Sequence, residues 1–462
     1  MAKRIYLCLA HMSEAGLEQK YIKEAFDTNW VVPLGPNVNA FEEDLRHFVA
    51  SNVNVNVQRA SLAHTFRCEN DNGNVNGGRQ VVALASGTAA VHLALIACGV
   101  GPGDEVLVQS FTFCASSHPI TYLGAKPVFV DSEPETWNMD PELLEVAIKD
   151  RIAKTGRKPK AIVPVYLYGM PGKIDELMDV ARKYDIPVIE DAAEGFGSRY
   201  KGQVCGTFGD YGVLSFNGNK MITTSGGGAL ICPDQAAKDK IMWLATQARE
   251  AYPYYQHEAI GYNYRMSNIC AGIGRGQMTI VDEHIARHRE IARMYEEAFA
   301  EVEGITFHKE LDGMESNYWL STILLDENLK VKGEELAYAE AVQGAVGGAA
   351  GVVHGGGSVH TDCEPNRNVE ALRIALDKEG IESRPLWKPM HKQPVYRKIE
   401  NGKLKIENLP DGVVCQTSAS SVAYVNGVAE AMFKRGLCLP SGPMVTDEEV
   451  KRIIDMIKLN LI

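Results

Sequence analysis

Lys220 is the residue of this chain whose surroundings in the sequence best suit covalent chemistry. An apolar, strand-like run at 211–216 leads to Asn217, Gly218 and Asn219, and the lysine follows directly. A strand that breaks into Asn and Gly requires a sharp turn, and a turn can hold a side chain out over a cleft. Most lysines in turns are simply solvated, so this stretch predicts a function only together with a second group.

Asp191 supplies that second group, because it stands at the end of another apolar run at 186–190. A lysine amine and a carboxylate on neighbouring strand ends are what a pyridoxal phosphate site requires. The amine forms a Schiff base with the aldehyde, and the acid holds a proton on the pyridine nitrogen. Lys220 and Asp191 together therefore predict a pyridoxal phosphate site in which these two residues are catalytic.

A regular alternation of strands and helices predicts the fold that positions these residues. Apolar runs separated by helical stretches imply crossover units, and hence an α/β fold with a mainly parallel sheet and helices on both faces. Ligands bind outside the carboxyl ends of the strands in such a sheet, and Lys220 and Asp191 both fall there. The predicted strands are 81–85, 105–109, 127–131, 161–167, 186–190, 211–216 and 228–232.

The turn Ala85-Ser-Gly-Thr88 is a candidate phosphate site. It leads from a predicted strand into an apolar helix, so free backbone amides, a hydroxyl and the positive end of the helix dipole converge there. Capped helices are common, and the motif by itself is weak. Phe113, just beyond the strand 105–109, could stack on a flat ring, although a phenylalanine at a strand end more often belongs to the core.

Composition excludes several classes of protein. The 462 residues are 45% hydrophobic, enough for one large domain and a smaller one, and the formal net charge of -12 at pH 7 argues against a nucleic-acid partner. The ten cysteines are spread singly, without a Cys-x-x-Cys pair, which predicts a reducing, cytoplasmic location. The apolar run near the start is shorter than that of a signal peptide, and no later run has the length and lack of charge to span a bilayer.

Two motifs have misleading spacing. Residues 99–103 read Gly-Val-Gly-Pro-Gly, but they follow a helix and precede a strand, the reverse of the order in a dinucleotide-binding loop. His284 and His288 have the spacing of metal ligands on a helix. With Arg287 and Arg289 beside them and no third ligand in reach, the pattern favours a solvated basic helix face, and no metal site is expected.

We expect the chain to divide into a large cofactor-binding domain at 1–304 and a smaller α+β domain at 305–462. The second domain should close with a helix that begins at a Thr446 capping box. An insertion rich in Asn, Val and Gly at about 51–80 and a Gly-rich insertion at about 330–370 interrupt this plan, and they suggest no chemistry.

Five motifs in a fixed order cover most of the chain outside the inserted segments: Ala85-Ser-Gly-Thr88, Glu190-Asp-Ala-Ala-Glu194, Ser215-Phe-Asn-Gly-Asn-Lys220, Gly261-Tyr-Asn-Tyr-Arg-Met-Ser267 and Gly436-Leu-Cys-Leu-Pro-Ser-Gly442. Together they resemble the DegT/DnrJ/EryC1/StrS aminotransferases, which act on nucleotide-linked keto sugars. The resemblance implies fold type I of the pyridoxal phosphate-dependent transferases, the aspartate aminotransferase-like fold, with a seven-stranded sheet in the large domain.

The resemblance also implies roles around the cofactor ring. Lys220 would hold the cofactor as a Schiff base and then move protons between the amino donor and the cofactor. Asp191 would pair with the pyridine nitrogen, and Phe113 would stack on one face of the ring. Glu194 corresponds to a position near the cofactor 3-hydroxyl that is His or Gln in relatives.

Further roles implied by the resemblance concern the phosphate and the oligomer. Gly87, Thr88 and Ser215 would hold the cofactor phosphate. Asn263 is similar to the family residue that reaches this phosphate from a neighbouring subunit, so the resemblance implies a homodimer with shared active sites. The tyrosine-rich segment 252–266 is too aromatic for a mere linker and is a candidate subunit contact.

A second set of motifs is similar to the family members of the UDP-N-acetylbacillosamine pathway: 217–228, 246–250, 319–322 and 381–391. Such members transfer the amino group of L-glutamate to the 4-keto carbon of a UDP-linked 6-deoxy-N-acetylhexosamine. Asn217, Arg384 and His391 are the candidate residues for binding the sugar nucleotide. Arg384 and His391 are equally compatible with a structural role.

Three alternatives remain open. The substrate could be another nucleotide keto sugar, such as the GDP-4-keto-6-deoxymannose of perosamine synthesis, because segments at about 330–370 and 400–422 look longer than the family pattern. The related dehydratases carry a histidine in place of the lysine, so Lys220 argues against dehydration. A non-catalytic regulator is not expected to retain Lys220, Asp191 and Ser215 together.

Overall fold

The computed structural model describes residues 4–51, 78–336, 363–397, 405–409 and 412–462. The insertions expected at about 51–80 and at about 330–370 lie mostly outside these residues. In the described part of the chain, helices surround a large sheet and a smaller one, with a further short three-stranded sheet beside them.

Several of the described helices begin or end at a capping residue. Asp140, Asp234 and Ser267 each accept backbone N–H groups of a first helical turn, and Gly156 ends a helix in the left-handed conformation. None of the described helices combines the length and apolarity needed to cross a membrane. The described helices are α1 (Leu17–Asp27), α2 (Pro36–Ala50), α3 (Gly87–Ala97), α4 (His118–Tyr122), α5 (Pro141–Thr155), α6 (Ile174–Tyr184), α7 (Gln235–Ala245), α8 (Asn268–Met278), α9 (Val281–Phe299), α10 (Arg367–Lys378), α11 (Val428–Arg435) and α12 (Asp447–Asn460).

All seven predicted strands form, with boundaries that proline adjusts. The run 161–167 ends as a strand before Pro164, which has no N–H to donate, and the run 186–190 joins the sheet as a strand only after Pro187. The strands are β1 (Gln80–Leu84), β2 (Glu105–Gln109), β3 (Lys126–Val130), β4 (Ala161–Val163), β5 (Ile189–Asp191), β6 (Arg199–Tyr200), β7 (Gln203–Val204), β8 (Tyr211–Ser215), β9 (Gly228–Cys232), β10 (Ile305–Phe307), β11 (Met314–Glu315), β12 (Ser321–Leu325), β13 (Arg384–Pro385), β14 (Lys405–Asn408), β15 (Val414–Thr417), β16 (Val422–Val425) and β17 (Gly436–Leu439).

The large sheet carries the predicted strands side by side. β1, β9, β8 and β5 are hydrogen-bonded in that order, and β4, β2 and β3 continue the sheet through parallel bridges from Ile162 to Val188 and from Val165 to Asp191. β9 runs antiparallel to both of its neighbours, whereas β8, β5, β4, β2 and β3 are parallel. The predicted α/β fold with a mainly parallel seven-stranded sheet is therefore confirmed.

The helix α3 is buried on nearly every side. Its sequence is apolar except for Thr88 and His92, and it packs against β8, β9, α4 and α7. A helix that is hydrophobic all round belongs to the interior of a protein. The turn that precedes α3 is therefore fixed to the sheet, because the helix cannot shift without opening the core.

The second sheet lies in the C-terminal part of the chain. β10, β12, β17 and β13 pair antiparallel in that order, and α9, α10 and α12 share an apolar core with them. The expected capping box begins α12: the Thr446 hydroxyl accepts the N–H of Glu449, and the Glu449 carboxylate accepts the N–H of Thr446.

Residues 405–425 extend the large sheet and not the small one. β16 pairs in parallel with β3, where Ala423 lies opposite Phe129, and β15 and β14 continue outward as antiparallel strands. The long segment expected at about 400–422 is thus, in its described part, an extension of the sheet edge.

Asp131 ties this extension to the end of β3. Its buried carboxylate accepts the N–H groups of Asn426 (3.2 Å), Gly427 (2.9 Å) and Ala429 (3.1 Å). Burial raises the pKa of Asp131, and these hydrogen bonds oppose the rise. The start of α11 is therefore held by a carboxylate from a distant strand.

The expectation of a solvated face at His284 and His288 is wrong. Both side chains are buried on α9, and their Nδ1–H groups donate to the carbonyl oxygens of Met221 (3.2 Å) and Tyr318 (3.1 Å). Burial lowers the pKa of both imidazoles, that of His288 to about 4, so both are neutral at pH 7. The neighbouring arginines mislead because a helix turns by about 100° per residue, which puts them on either side of the histidine face.

Among the described residues, no three His, Cys, Asp or Glu side chains are grouped so as to hold a metal ion.

Asp131→Asn is expected to lower the free energy of unfolding by about 2–4 kcal/mol, because one amide oxygen cannot replace two carboxylate oxygens and buried N–H groups lose their acceptor. Urea unfolding of the full chain measures the change. Asp234→Asn is the matched control, since Asn caps a helix as well as Asp does. Equal losses in the two variants would contradict the role assigned to Asp131.

Candidate active site

Lys220 lies in the turn after β8, as predicted. Its N–H donates to the carbonyl oxygen of Asn217 (2.9 Å), which closes the turn. The side chain is only 13% exposed, and its Nζ lies 3.5 Å from Glu194 Oε1 and 4.0 Å from the ring centroid of Trp319. A turn lysine drawn into the protein in this way can serve as a nucleophile and not merely as a solvated charge.

Asp191 ends β5 beside β8, and its carboxylate is buried. Oδ2 accepts the hydroxyl of Ser116 (2.7 Å), and Oδ1 accepts the N–H of Ala193 (3.1 Å). Burial raises the pKa of Asp191, against the opposing effects of these hydrogen bonds and of the Lys220 charge. A protonated ring nitrogen against this carboxylate would offset the cost of its burial, so the aspartate fits a pyridine ring.

Glu194 faces Lys220 from inside the protein. Its Oε2 accepts the N–H of Tyr168 (2.7 Å), and Tyr168 has a left-handed φ of 55°, which is unusual for a tyrosine. Burial raises the pKa of Glu194 to about 7, while the Lys220 charge and the Tyr168 N–H oppose the rise and the nearby Asp191 adds to it. Glu194 can therefore gain or lose a proton near neutral pH, next to the lysine amine.

The Ser86-Gly87-Thr88 turn lies directly against Ser215. A Cβ added to Gly87 would stand 3.0 Å from the Cβ of Ser215, and one added to Gly228 would stand 2.4 Å from the Gly87 nitrogen. The Ser86 hydroxyl caps α3, while the N–H groups of Gly87 and Thr88 belong to the first turn and have no acceptor inside the helix. These amides and the adjacent serine hydroxyl have the chemistry of a phosphate cradle.

Phe113 is 53% exposed and is therefore not a core residue. Its ring centroid lies 5.4 Å from that of Trp387, which in turn lies 5.1 Å from Tyr168 and 6.1 Å from Trp319. This row of aromatic rings begins at the exposed phenylalanine and ends beside Lys220. The exposure leaves Phe113 free to stack on a cofactor ring, and that role stays a prediction.

Asn263 is exposed, in a segment that joins Thr246 through an isolated bridge. The loop before it presents Tyr254, Tyr255 and Ile260 to solvent, the tyrosine at 255 with 79% of its surface. Large apolar side chains exposed together in one loop are typical of a protein contact. The contribution of Asn263 to a neighbouring active site stays a prediction.

The candidate substrate residues lie in three different settings. Asn217 is exposed in the turn that carries the lysine. Arg384 is exposed on β13 and pairs with Glu382 (2.9 Å). His391 is buried, with Nδ1 2.6 Å from the hydroxyl of Ser110 just beyond β2. Of the three, Asn217 belongs to the lysine turn itself, and a role in substrate binding stays a prediction for each.

Three further residues hold the site together: Ser116, Tyr168 and Trp319. The sequence patterns assign none of them a role, although Trp319 begins the motif 319–322. Ser116 bonds to the buried aspartate, Tyr168 bonds to the buried glutamate, and Trp319 faces the lysine. Each contact joins segments far apart in the chain. Apart from the motif 319–322, the local signal is the hydroxyl-rich stretch 110–117, which follows a strand end and could have indicated Ser116.

Comparison with known proteins places this chain in a family. Residues 64–347 match the DegT/DnrJ/EryC1/StrS aminotransferase family. The chain is 41% identical to EpsN of Bacillus subtilis (strain 168), named as a candidate pyridoxal phosphate-dependent aminotransferase, over 99% of this chain and 96% of EpsN. It is 32% identical to the GDP-perosamine synthase of Escherichia coli O157:H7 over 98% of each protein.

A solved structure shows the same fold. The crystal structure of a DegT DnrJ EryC1 StrS aminotransferase from Brucella abortus has a TM-score of 0.73 and 25% sequence identity, and the match covers 96% of this chain and 95% of that one. The chain therefore belongs to the DegT/DnrJ/EryC1/StrS aminotransferase family and is a sugar aminotransferase that uses pyridoxal phosphate.

Proposed function

We propose that this enzyme transfers the amino group of L-glutamate to C4 of a UDP-linked 4-keto-6-deoxy-N-acetylhexosamine, in the synthesis of amino sugars for bacterial surface glycans. The observation that carries the proposal is the convergence of Asp191, Lys220 and the Gly87 turn at the carboxyl ends of β5, β8 and β1, which lie at one edge of the sheet. The UDP-linked sugar is inferred from the motifs at 217–228 and 381–391.

In this proposal the charges of the site match those of the cofactor. Pyridoxal phosphate supplies an aldehyde for the lysine and a ring that withdraws electrons from the reacting carbon. Asp191 would face the ring nitrogen, and Phe113 would cover one face of the ring. Gly87, Thr88 and Ser215 would hold the phosphate, where the dipole of α3 favours negative charge.

Lys220 would also carry the proton that transamination moves. The same amine can act on the donor and on the sugar, because it is free to accept and release a proton once the donor has taken its place. Glu194 lies 3.5 Å from this amine and can hold a proton near neutral pH. Since both side chains are nearly out of solvent, the pair can keep that proton in the site while L-glutamate leaves as 2-oxoglutarate and the keto sugar enters.

We further propose a cytoplasmic homodimer with shared active sites. The exposed Asn263 and the exposed apolar loop before it support a second subunit at this place. Within each chain, residues 1–304 would form the large domain and residues 305–462 the smaller one, with β14, β15 and β16 crossing back to the large sheet.

The absorbance spectrum tests the transaminase itself. Wild-type protein given pyridoxal phosphate should show a yellow band that shifts on addition of L-glutamate, because the band requires the bond to the lysine nitrogen. Lys220→Ala should lose that band, whereas Lys158→Ala, at an exposed lysine, should keep it. If excess cofactor gives no band in the wild type, a non-catalytic regulator becomes the better interpretation.

Glu194→Gln should remove a pH-dependent loss of stability from the cofactor-free protein. Since the folded pKa of about 7 lies above the ordinary value of 4.5, the contribution of Glu194 to stability is complete below pH 4.5 and is lost as the pH rises through about 7. Urea unfolding from pH 5 to pH 8 should therefore show the wild type losing stability relative to the variant.

Glu18→Gln provides the control for that titration. Burial would raise the pKa of Glu18, but hydrogen bonds from Ser13 and Gln277 outweigh it and lower the pKa. Its stabilising contribution is therefore lost only as the pH falls below the ordinary value, and the Glu18 variant should follow the wild type in slope above pH 5. A constant difference between wild type and Glu194→Gln across the pH range would argue against the buried titration.

The nucleotide is tested by direct comparison of substrates. A GDP-linked keto sugar is the second candidate, because the chain is 32% identical to a GDP-perosamine synthase over nearly its whole length. Release of 2-oxoglutarate from L-glutamate should be faster with UDP-4-keto-6-deoxy-N-acetylglucosamine than with GDP-4-keto-6-deoxymannose by about tenfold or more in kcat/KM. A preference for the GDP sugar would replace the proposed substrate and leave the transaminase assignment intact.

A further inference from the structure

We propose that Trp319 is a positioning residue for Lys220, fixing both the turn that carries the lysine and the amine itself. The inference rests on the proposed function, in which the lysine amine bonds to the cofactor. Two contacts of the indole carry it, one through the N–H and one through the ring face.

The indole N–H of Trp319 holds the lysine turn. It donates to the carbonyl oxygen of Asn219 (2.6 Å), the residue directly before the lysine. Residues 217–219 are exposed, whereas the tryptophan is buried with 3% of its surface accessible. A turn at the surface is thus attached to a rigid side chain of the interior, and its backbone cannot swing without breaking a buried hydrogen bond.

The ring face of Trp319 holds the amine. Nζ of Lys220 lies 4.0 Å from the ring centroid, well inside the range of a cation–π contact. The side chain of the lysine is 13% exposed, so the contact is largely desolvated and stronger than one at a surface. The ring and the Glu194 carboxylate at 3.5 Å together keep the amine inside the cleft.

The backbone of Trp319 is itself linked to the backbone of Glu194 through the side chain of Asn317. Its backbone N–H donates to Asn317 Oδ1 (2.8 Å), and Asn317 Nδ2 donates to the carbonyl oxygens of Glu194 (2.7 Å) and Phe196 (2.9 Å). Tyr318, between these residues, has a left-handed φ of 48°. Backbone strain of this kind persists where the surroundings determine the conformation, and here it presents the indole to the lysine.

This arrangement separates two properties of the site. Noncovalent holding of the cofactor depends on Asp191, which Ser116 and Ala193 hold in place, and on the phosphate cradle of the Gly87 turn. Covalent capture, the formation of the bond between Lys220 and the cofactor, depends on the position of the amine. The lysine nitrogen must bond to the aldehyde carbon while the aldehyde oxygen leaves as water. Loss of the indole should therefore slow capture and leave noncovalent binding in place.

The experiment uses full-length protein stripped of cofactor. Covalent capture of pyridoxal phosphate is followed by the growth of its absorbance band, and noncovalent holding by the affinity for pyridoxamine phosphate, which has no aldehyde and cannot bond to the lysine. Trp319→Leu should slow capture about tenfold or more and change the pyridoxamine phosphate affinity less than about threefold. Trp319→Phe, which keeps a ring and loses the N–H, should fall between leucine and wild type.

Trp243→Leu is the matched control, because this partly buried tryptophan lies on α7 and packs in another core cluster. It should capture the cofactor at the wild-type rate. Capture by Trp319→Leu at the wild-type rate would overturn the inference, and so would a parallel loss of capture and of pyridoxamine phosphate affinity, which indicates general damage. A wild type that forms no band at all would instead refute the proposed function.

Discussion

The parallel pairing of β5 with β8 is the constraint on which the site depends. It sets Asp191 opposite Val213, so the aspartate and the turn beyond Ser215 leave the sheet side by side. A slip of one residue in this register would turn the side chains of the shifted strand to the opposite face of the sheet and separate the acid from the amine. The apolar helix α3 protects the register, because it packs against β8 and begins at the Ser86-Gly87-Thr88 turn at the same edge.

The site gathers charges that a protein interior does not favour. Lys220, Asp191 and Glu194 are nearly out of water, and burial raises the pKa of both acids. Hydrogen bonds from Ser116 and Tyr168 hold the carboxylates without supplying a positive charge. A ligand with a basic ring nitrogen would set a positive charge against Asp191, and its binding would offset part of the cost of burying that carboxylate.

Local patterns were enough to predict the strands, the lysine turn and the acid, because strand composition and turn chemistry act over a few residues. Contacts between distant segments were not predictable in this way. The burial of His284 and His288 depends on what packs against α9, and the attachment of β16 depends on an edge of β3 formed far earlier in the chain. The indole of Trp319 and the backbone it holds are 100 residues apart, so no local pattern joins them.

The length of chain between β3 and β16 also determines how long after β3 the strand β16 is synthesised. Asp131 and Ala429, which join the two parts, are 298 residues apart. At roughly 5–20 residues per second, about 15–60 s pass between the emergence of the two partners from the ribosome. For that interval β3 has a free edge, and unpaired strand edges attract other chains. The nascent large sheet therefore leaves this edge of β3 unpaired until its last strands arrive.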